Sequence, residues 1–352
     1  MATPGDPRYH ALRVSAVMDE TDDAKSLVFD VPEALRPTFA YKPGQFLTLR
    51  LPVNGRRVRR CYSMSSAPAV DDGPRVTVKR VRSGTGSNWI CDNVKAGDTL
   101  DVLPPSGSFT PRAGLDGDFL LLAGGSGITP VFSILRSTLH LGSGRVVLLY
   151  MNRDEHSIIF RKELMALAAA HPTRLQVIHW LDSVQGVPTL AQLAELAKPF
   201  AAGQAFICGP GPFMDAAVSA LQAIEMSAER IRVERFSSLP DEEDADDINA
   251  AAAADAPAPA VAEADIDILL DGEVHHVRCA GDQPILDAAL AAGLPAPYSC
   301  RAGMCASCMC QVKEGSVFLR HNEVLDKKDL EKAWTLACQA LPTSASVKVE
   351  FP

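Results

Sequence analysis

The chain has 352 residues, of which 34 are Lys or Arg and 43 are Asp or Glu, for a formal charge of -9. That length exceeds the roughly 250 to 300 residues at which a single core stops growing, so two or three domains are expected. The hydrophobic share of 47% and charged share of 22% exclude wholesale disorder and fibrous repeats. The acidic balance gives no electrostatic ground for a nucleic acid partner, and no apolar run reaches the roughly 20 residues needed to span a bilayer. MATPGDPRYH lacks a basic start followed by an apolar core, so no secretory signal is read. A cytoplasmic protein with no membrane partner is expected.

Residues 1–113 alternate short β-rich runs with Pro and Gly turns: RYHALRVSAV, KSLVFDV, QFLTLRL, CYSMSS, RVTVKRV and TLDVLPP. This spacing predicts a sandwich or a small barrel. Two motifs lie within it. Arg60-Cys61-Tyr62-Ser63 follows the basic run GRRVRR, and Gly84-Thr85-Gly86-Ser87 precedes a short helical SNWICDN. A glycine turn that opens a helix presents free N–H groups to an anion. Arg60 suits a phosphate in bidentate fashion, and Tyr62 offers a flat face to a planar ring. Taken alone, RCYS is equally a strand arginine beside a core tyrosine.

From residue 114 to 240 the pattern changes. Apolar runs DFLLLA, RVVLLY, RLQVIHW and QAFIC alternate with helical-period segments such as VFSILRSTLH and FMDAAVSALQAI, which predicts a parallel α/β sheet. Ligands of such sheets bind at the carboxyl ends of the strands. Two of those ends are glycine-rich, GGSGITP at Gly124–Pro130 and CGPGP at Cys208–Pro212. The first departs from the dinucleotide fingerprint, because Pro130 stands where a third glycine would be. Asn152-Arg153-Asp154 follows the second strand. Arg153 suits an extra phosphate on a ligand bound there, whereas Asp154 and Glu155 repel one.

Asp241 to Asp265 holds nine acidic residues, no basic one, 11 Ala and two Pro. This composition reads as a flexible acidic linker of roughly 25 to 30 Å, with an acidic, Ala-rich helix as the alternative. Beyond it, residues 266–352 carry DIDILLDG, HHVRC and PILDAALAAG before YSCRAGMCASC. Cys300, Cys305, Cys308 and Cys338 follow the spacing C-x4-C-x2-C with a distant fourth cysteine, the plant-type arrangement for a 2Fe-2S cluster. Zinc sites favour paired C-x2-C spacings, and this segment has one. Arg301, Ala302, Gly303 and Met304 are small or flexible enough to turn backbone N–H groups toward sulfur. Cys310 is either a buried strand residue or a competing thiol, and Cys279 reads as a strand cysteine.

Residues 266–352 resemble a plant-type 2Fe-2S ferredoxin domain of the α+β (β-grasp) class, with Ala306 in place of a common glycine. The RxYS and GxxS motifs resemble the flavin domain of the ferredoxin-NADP reductase superfamily, and GGSGITP with CGPGPF is similar to its pyridine nucleotide domain. The resemblance implies a multidomain chain: an antiparallel β-barrel flavin domain (1–113), an α/β parallel-sheet nucleotide domain (114–240), the linker (241–265) and the ferredoxin domain (266–352). It implies FAD, although relatives with this domain order also use FMN.

By position, the same resemblance puts Arg60, Gly84, Gly86 and Ser87 on the flavin pyrophosphate. Tyr62 lies against the isoalloxazine and Ser63 near its N5, with Cys61 and Val78 in the same pocket. Gly125, Gly127 and Thr129 face the pyrophosphate of NADH, and Cys208 and Gly209 border the nicotinamide. Glu234 and Phe236 of VERF close the site, so the implied catalytic set is Ser63, Cys208, Glu234 and Phe236. For Cys208 and Phe236, a buried strand-end thiol and plain domain packing are the alternatives.

The whole order resembles the reductase component of a bacterial multicomponent oxygenase. CYSMSS, GSNWI, NRDEHSIIF, HWLDSVQG and CGPGPFMDA are most similar to the reductases of 3-ketosteroid 9α-hydroxylases and phenylacetyl-CoA epoxidases. The implied activity passes a hydride from NADH to the flavin and single electrons through the cluster to a terminal oxygenase. The cofactors perform the chemistry, and no classical general acid, base or nucleophile is implied. Two other classes stand beside this reading: a self-contained diaphorase with a redox-sensing ferredoxin domain, and a non-catalytic cysteine-rich module holding zinc.

Overall fold

The computed structural model describes residues 8–235, 242–254, 256–325 and 327–351. In its amino-terminal part, strands β1 (His10–Thr21), β2 (Ala24–Asp30), β3 (Phe46–Val53), β4 (Arg56–Ser63) and β5 (Arg75–Lys79) precede helix α1 (Thr85–Asn93) and strand β6 (Thr99–Val102). They form one sheet in the order β4-β3-β6-β1-β2-β5. Its two edges meet through an antiparallel bridge between Met64 and Val76, supported by the Ser65 N–H donating to the Arg75 carbonyl at 2.7 Å. The sheet therefore closes on itself, which decides for a barrel over a sandwich and leaves no open edge there. Leu12, Leu27, Leu47 and Leu49 fill its interior without exposed surface.

The next part alternates β7 (Phe119–Gly124), α2 (Ile128–Leu141), β8 (Val146–Asn152), α3 (Arg161–Ala170), β9 (Leu175–Leu181), α4 (Asp182–Gln185), α5 (Leu190–Ala197), β10 (Gln204–Cys208), α6 (Gly211–Ala223) and β11 (Ile231–Glu234). The five strands are parallel, in the order β11-β10-β7-β8-β9. Phe119, Leu121 and Ala123 of β7 enter the cluster under α2 and α3, whereas Leu120 and Leu122 enter the one under α5 and α6. Burial on both faces is why FLLLA is continuously apolar instead of alternating. The strand order reverses between β7 and β10, and crevices at such a switch point are where open α/β sheets bind ligands. GGSG and CGPG follow these two strands.

Residues 54–59 and 236–352 make up a second unit, distinct from residues 1–53 and 60–235. It contains helix α7 (Glu242–Ala254), strands β12 (Glu263–Leu270) and β13 (Glu273–Ala280), helix α8 (Ile285–Ala291), strands β14 (Met309–Glu314) and β15 (Val317–Leu319), helix α9 (Lys327–Glu331), and strands β16 (Trp334–Leu336), β17 (Ala340–Pro342) and β18 (Ser346–Glu350). The main sheet runs β13-β12-β18-β14-β16, with β15 and β17 as a separate ribbon. Ala264, Ile266, Ile268 and Leu270 alternate into the core from β12. The acidic segment departs from the coil expectation in favour of its alternative. Alanine has the highest helix propensity, and the Ala-rich run is helical from Glu242 to Ala254. β12 begins at Glu263, three residues before the expected domain start. Among the described residues, no helix is long and apolar enough to cross a membrane.

Candidate functional site

Strand β4 delivers Arg60, Cys61, Tyr62 and Ser63, and α1 brings its amino terminus against them. A Cβ on Gly86 would lie 2.7 Å from Arg60 Cγ and 3.4 Å from Tyr62 Oη, so a bare glycine there lets the helix start seat directly on the RCYS strand. No side chain caps α1, which leaves its first N–H groups as donors for an anion. Ser87 is buried, and its Oγ accepts from the Val81 N–H at 3.2 Å; it shapes the turn that contains Gly84. Burial pushes the Tyr62 hydroxyl pKa up, opposed by the Arg60 charge. Cys61 Sγ lies 3.3 Å from Thr48 Oγ1. Val78 has no exposed surface, so its side chain is barrel core.

On the nucleotide side, the parallel register aligns Ala123, Cys208 and Glu234 in one row at the carboxyl edge. The two glycine loops pack into each other. A Cβ on Gly127 would fall 2.2 Å from the Cys208 carbonyl oxygen, and one on Gly209 would fall 2.8 Å from Phe213 and 3.0 Å from Gly124. Gly125 has a φ of 53° with open space where its Cβ would be. Thr129 Oγ1 donates to the Ser126 carbonyl at 3.1 Å. Cys208 is fully buried and belongs to the core, and that burial holds its thiol pKa well above the ordinary value. Ser63 Oγ donates to Glu234 Oε2 at 3.3 Å, joining the end of the flavin-side strand to the end of β11. Burial raises the Glu234 carboxyl to about 8. Phe236 lies outside the described residues.

After β8, Arg153 Nε donates to Asp154 Oδ2 at 2.9 Å and Arg153 Nη2 donates to Ser157 Oγ at 3.1 Å. The guanidinium and the serine hold Asp154 at about 2. The charge of Arg153 is thus already matched by its neighbour.

In the second unit, Cys300, Cys305 and Cys308 lie between α8 and β14, and Cys338 sits in the turn from β16 to β17. The loop wraps around sulfur. The Ala302 and Met304 N–H groups donate to Cys300 Sγ at 3.4 and 3.3 Å, and the Cys300 N–H donates to Cys305 Sγ at 3.4 Å. Among the described residues no three His, Cys, Asp or Glu side chains converge on a single-ion position. The four thiols lie near enough to shift one another's titration: Cys305 and burial raise Cys300, Cys338 and burial raise Cys308, and the hydrogen bond with Cys300 holds Cys305 down at about 6. Four cysteines at this spacing are the ligand set of a plant-type two-iron cluster. Gly303 takes a φ of 73° and Ala306 one of 53°, so the residue replacing the common glycine occupies a left-handed conformation. Cys310 is fully buried in β14, where burial raises its thiol to about 12; it is a strand residue.

Sequence reasoning missed Gln339. Its Nε2 donates to the Arg301 carbonyl at 3.0 Å and to Asn249 Oδ1 at 2.8 Å, tying the cluster loop to α7. It missed Arg75 and Glu163 as well, paired at 3.1 Å across 88 residues, a separation at which no local pattern exists.

Residues 11–110 match the oxidoreductase FAD-binding domain family, residues 121–219 the oxidoreductase NAD-binding domain family, and residues 268–343 the 2Fe-2S iron-sulfur cluster binding domain family. The chain is 51% identical to the ferredoxin reductase component of 3-ketosteroid-9-alpha-monooxygenase from Rhodococcus rhodochrous, covering 99% of this chain and 98% of that one. It is 34% identical to a component of the 1,2-phenylacetyl-CoA epoxidase from Escherichia coli, covering 97% and 98%. Phthalate dioxygenase reductase shares the fold, with a TM-score of 0.58 at 23% identity over 97% of this chain and 98% of that one. The chain therefore belongs to the family of monooxygenase reductase components that unite an FAD-binding, an NAD-binding and a 2Fe-2S cluster-binding domain.

Proposed function

We propose that this oxidoreductase is the NADH-dependent reductase component of a 3-ketosteroid 9α-monooxygenase and delivers electrons to its terminal oxygenase in the cytoplasm. The observation that carries the reading is relatedness through all three domains at 51% identity, against 34% for the epoxidase component.

When bound, FAD supplies hydride acceptance and its conversion to single electrons, and the 2Fe-2S cluster supplies one-electron transfer. The chain's own residues bind, orient and handle protons. Arg60 and the uncapped N–H groups of α1 hold the flavin pyrophosphate, with Gly84 and Gly86 allowing the close approach, and Tyr62 supports the ring. Gly125 gives the nucleotide pyrophosphate an unobstructed backbone, while Gly127, Thr129 and Gly209 keep the loop pair in shape and Cys208 would border the nicotinamide. Matching of Arg153 by Asp154 disfavours a 2′-phosphate and supports NADH over NADPH. Ser63 and Glu234 stand at the meeting of the two sides, where a carboxyl raised to about 8 retains a proton at neutral pH and accepts a hydrogen bond from the Ser63 hydroxyl. Cys300, Cys305, Cys308 and Cys338 hold the cluster.

Reconstitution with candidate terminal oxygenases tests the reading. With a ketosteroid hydroxylase oxygenase, NADH consumption should depend on the steroid and match product formed. Coupling to an epoxidase or an aromatic-ring oxygenase, with none to the steroid enzyme, would reassign the partner.

A further inference from the structure

Three contacts join the stretch from Ser65 to Arg75, the first residue of β5, to the helices α2 and α3 of the nucleotide-binding part. Ser133 Oγ of α2 donates to the Ser66 carbonyl at 2.5 Å. One turn along the same helix, Arg136 Nη2 donates to Asp71 Oδ1 at 2.9 Å and Nη1 to Asp71 Oδ2 at 2.5 Å. Arg75 makes the third and the most extensive. Its Nη1 donates to Glu163 Oε1 of α3 at 3.1 Å, and its Nη2 returns to the Ser65 carbonyl at 3.3 Å. The guanidinium lies over the Phe160 ring at 5.0 Å and the Phe132 ring at 5.8 Å. Those two rings stack on each other with centroids 4.3 Å apart and planes at 16°. Phe160 adopts a φ of 60°, which a bulky residue adopts only when its surroundings impose it.

Position gives this contact its meaning. Ser65 and Ser66 lie two and three residues beyond Ser63, and Phe132 lies three residues beyond Thr129, within the first turns of the helix that opens from GGSG. The first two contacts both lie on α2, and Ser63 meets Glu234 at the end of β11. Arg75 adds a point on a different helix, α3, away from both, so that the barrel is also held from that side. We propose that Arg75 is a positioning residue for hydride transfer, fixing the flavin-binding barrel against the nucleotide-binding sheet at the separation the reaction requires. The proposal rests on the NADH-to-flavin reading above. Reacting atoms must approach within about 3 to 3.5 Å, and a displacement of about 1 Å caused far from the chemistry can cost roughly a hundredfold in rate.

The test is stopped-flow reduction of the FAD-loaded enzyme by NADH, resolving the limiting rate from the nucleotide dissociation constant and recording the long-wavelength flavin–nicotinamide charge-transfer absorbance. Arg75→Ala should lower the limiting rate at least about tenfold and weaken the charge-transfer band, with flavin content and the dissociation constant unchanged. Arg75→Lys should recover part of the rate, because the charge stays while the planar fork and its stacking are lost. Glu163→Ala, at a side chain 39% exposed, should move the rate in the same direction and decides the matter should Arg75→Ala lose its flavin. Limiting rates within twofold of wild type in the flavin-loaded variants overturn the clamp. Failure of NADH to reduce the wild-type flavin would instead overturn the functional reading.

Discussion

Ser63 Oγ and Glu234 Oε2 lie 3.3 Å apart, although 171 residues separate them in the chain. The contact joins the last residue of a barrel strand to the last residue of an edge strand in the parallel sheet. It is the point at which the flavin-side and nucleotide-side halves of the candidate site become one arrangement.

The contact has a pH signature. Burial raises the Glu234 carboxyl from 4.5 to about 8, and the Ser63 hydrogen bond opposes the rise. A raised acid keeps a proton that the unfolded chain releases, so its contribution to stability is complete below about 4.5 and is lost as pH climbs through about 8. Glu234→Gln should therefore raise the unfolding temperature relative to wild type at pH 8 to 9 and change it little at pH 5. Ser63→Ala removes the opposing bond and should shift the inflection upward. Thermal unfolding followed across this pH range measures both.

Gly125 and Gly127, two of the three glycines of GGSG, should respond differently to alanine. At Gly127 the new Cβ would sit 2.2 Å from the Cys208 carbonyl oxygen, and backbone cannot yield cheaply, so a loss of about 2 kcal/mol or more is expected. At Gly125 nothing lies within 4 Å, but φ is 53°, so the cost should be nearer about 1 kcal/mol. Denaturant unfolding gives the stabilities, and flavin-fluorescence titration should show weaker NADH binding for Gly127→Ala at unchanged flavin content.

Cys305→Ser should abolish the visible absorbance of the cluster and the two irons per chain found by metal analysis. NADH should still bleach the flavin of this variant, and electron delivery to a terminal oxygenase should fall below detection. Zinc in wild-type protein, with no acid-labile sulfide, would contradict the two-iron cluster.

Ala306 and Gly303 should move in opposite directions. Both are left-handed, at 53° and 73°. Relief of roughly 1 to 2 kcal/mol of steric cost in Ala306→Gly, offset by roughly 0.5 to 1 kcal/mol of added chain entropy, predicts a modest gain in cluster retention on heating. Gly303→Ala adds a Cβ 2.6 Å from the His321 carbonyl oxygen and should shed the cluster. Loss of absorbance during a temperature ramp distinguishes the two.

Much of this protein is written locally. The four cluster cysteines, the RCYS and GTGS motifs and the two glycine loops each lie within short windows, because a metal cage, an anion-binding helix start and a tight turn are set by neighbouring residues. Continuous apolar strands announced the parallel sheet for the same reason, since burial on both faces is a property of each strand by itself. The acidic segment was harder. Its composition supports both a solvated coil and an alanine helix, and the structure takes the helix. Tertiary structure alone decided three things: that the sheet closes through Met64 and Val76 into a barrel, that a Cβ on Gly127 would meet the carbonyl of Cys208, and that Ser63 meets Glu234 while Arg75 meets Glu163. Each depends on strand order and interdomain packing, and contacts across 88 or 171 residues leave no periodic trace in the chain that makes them.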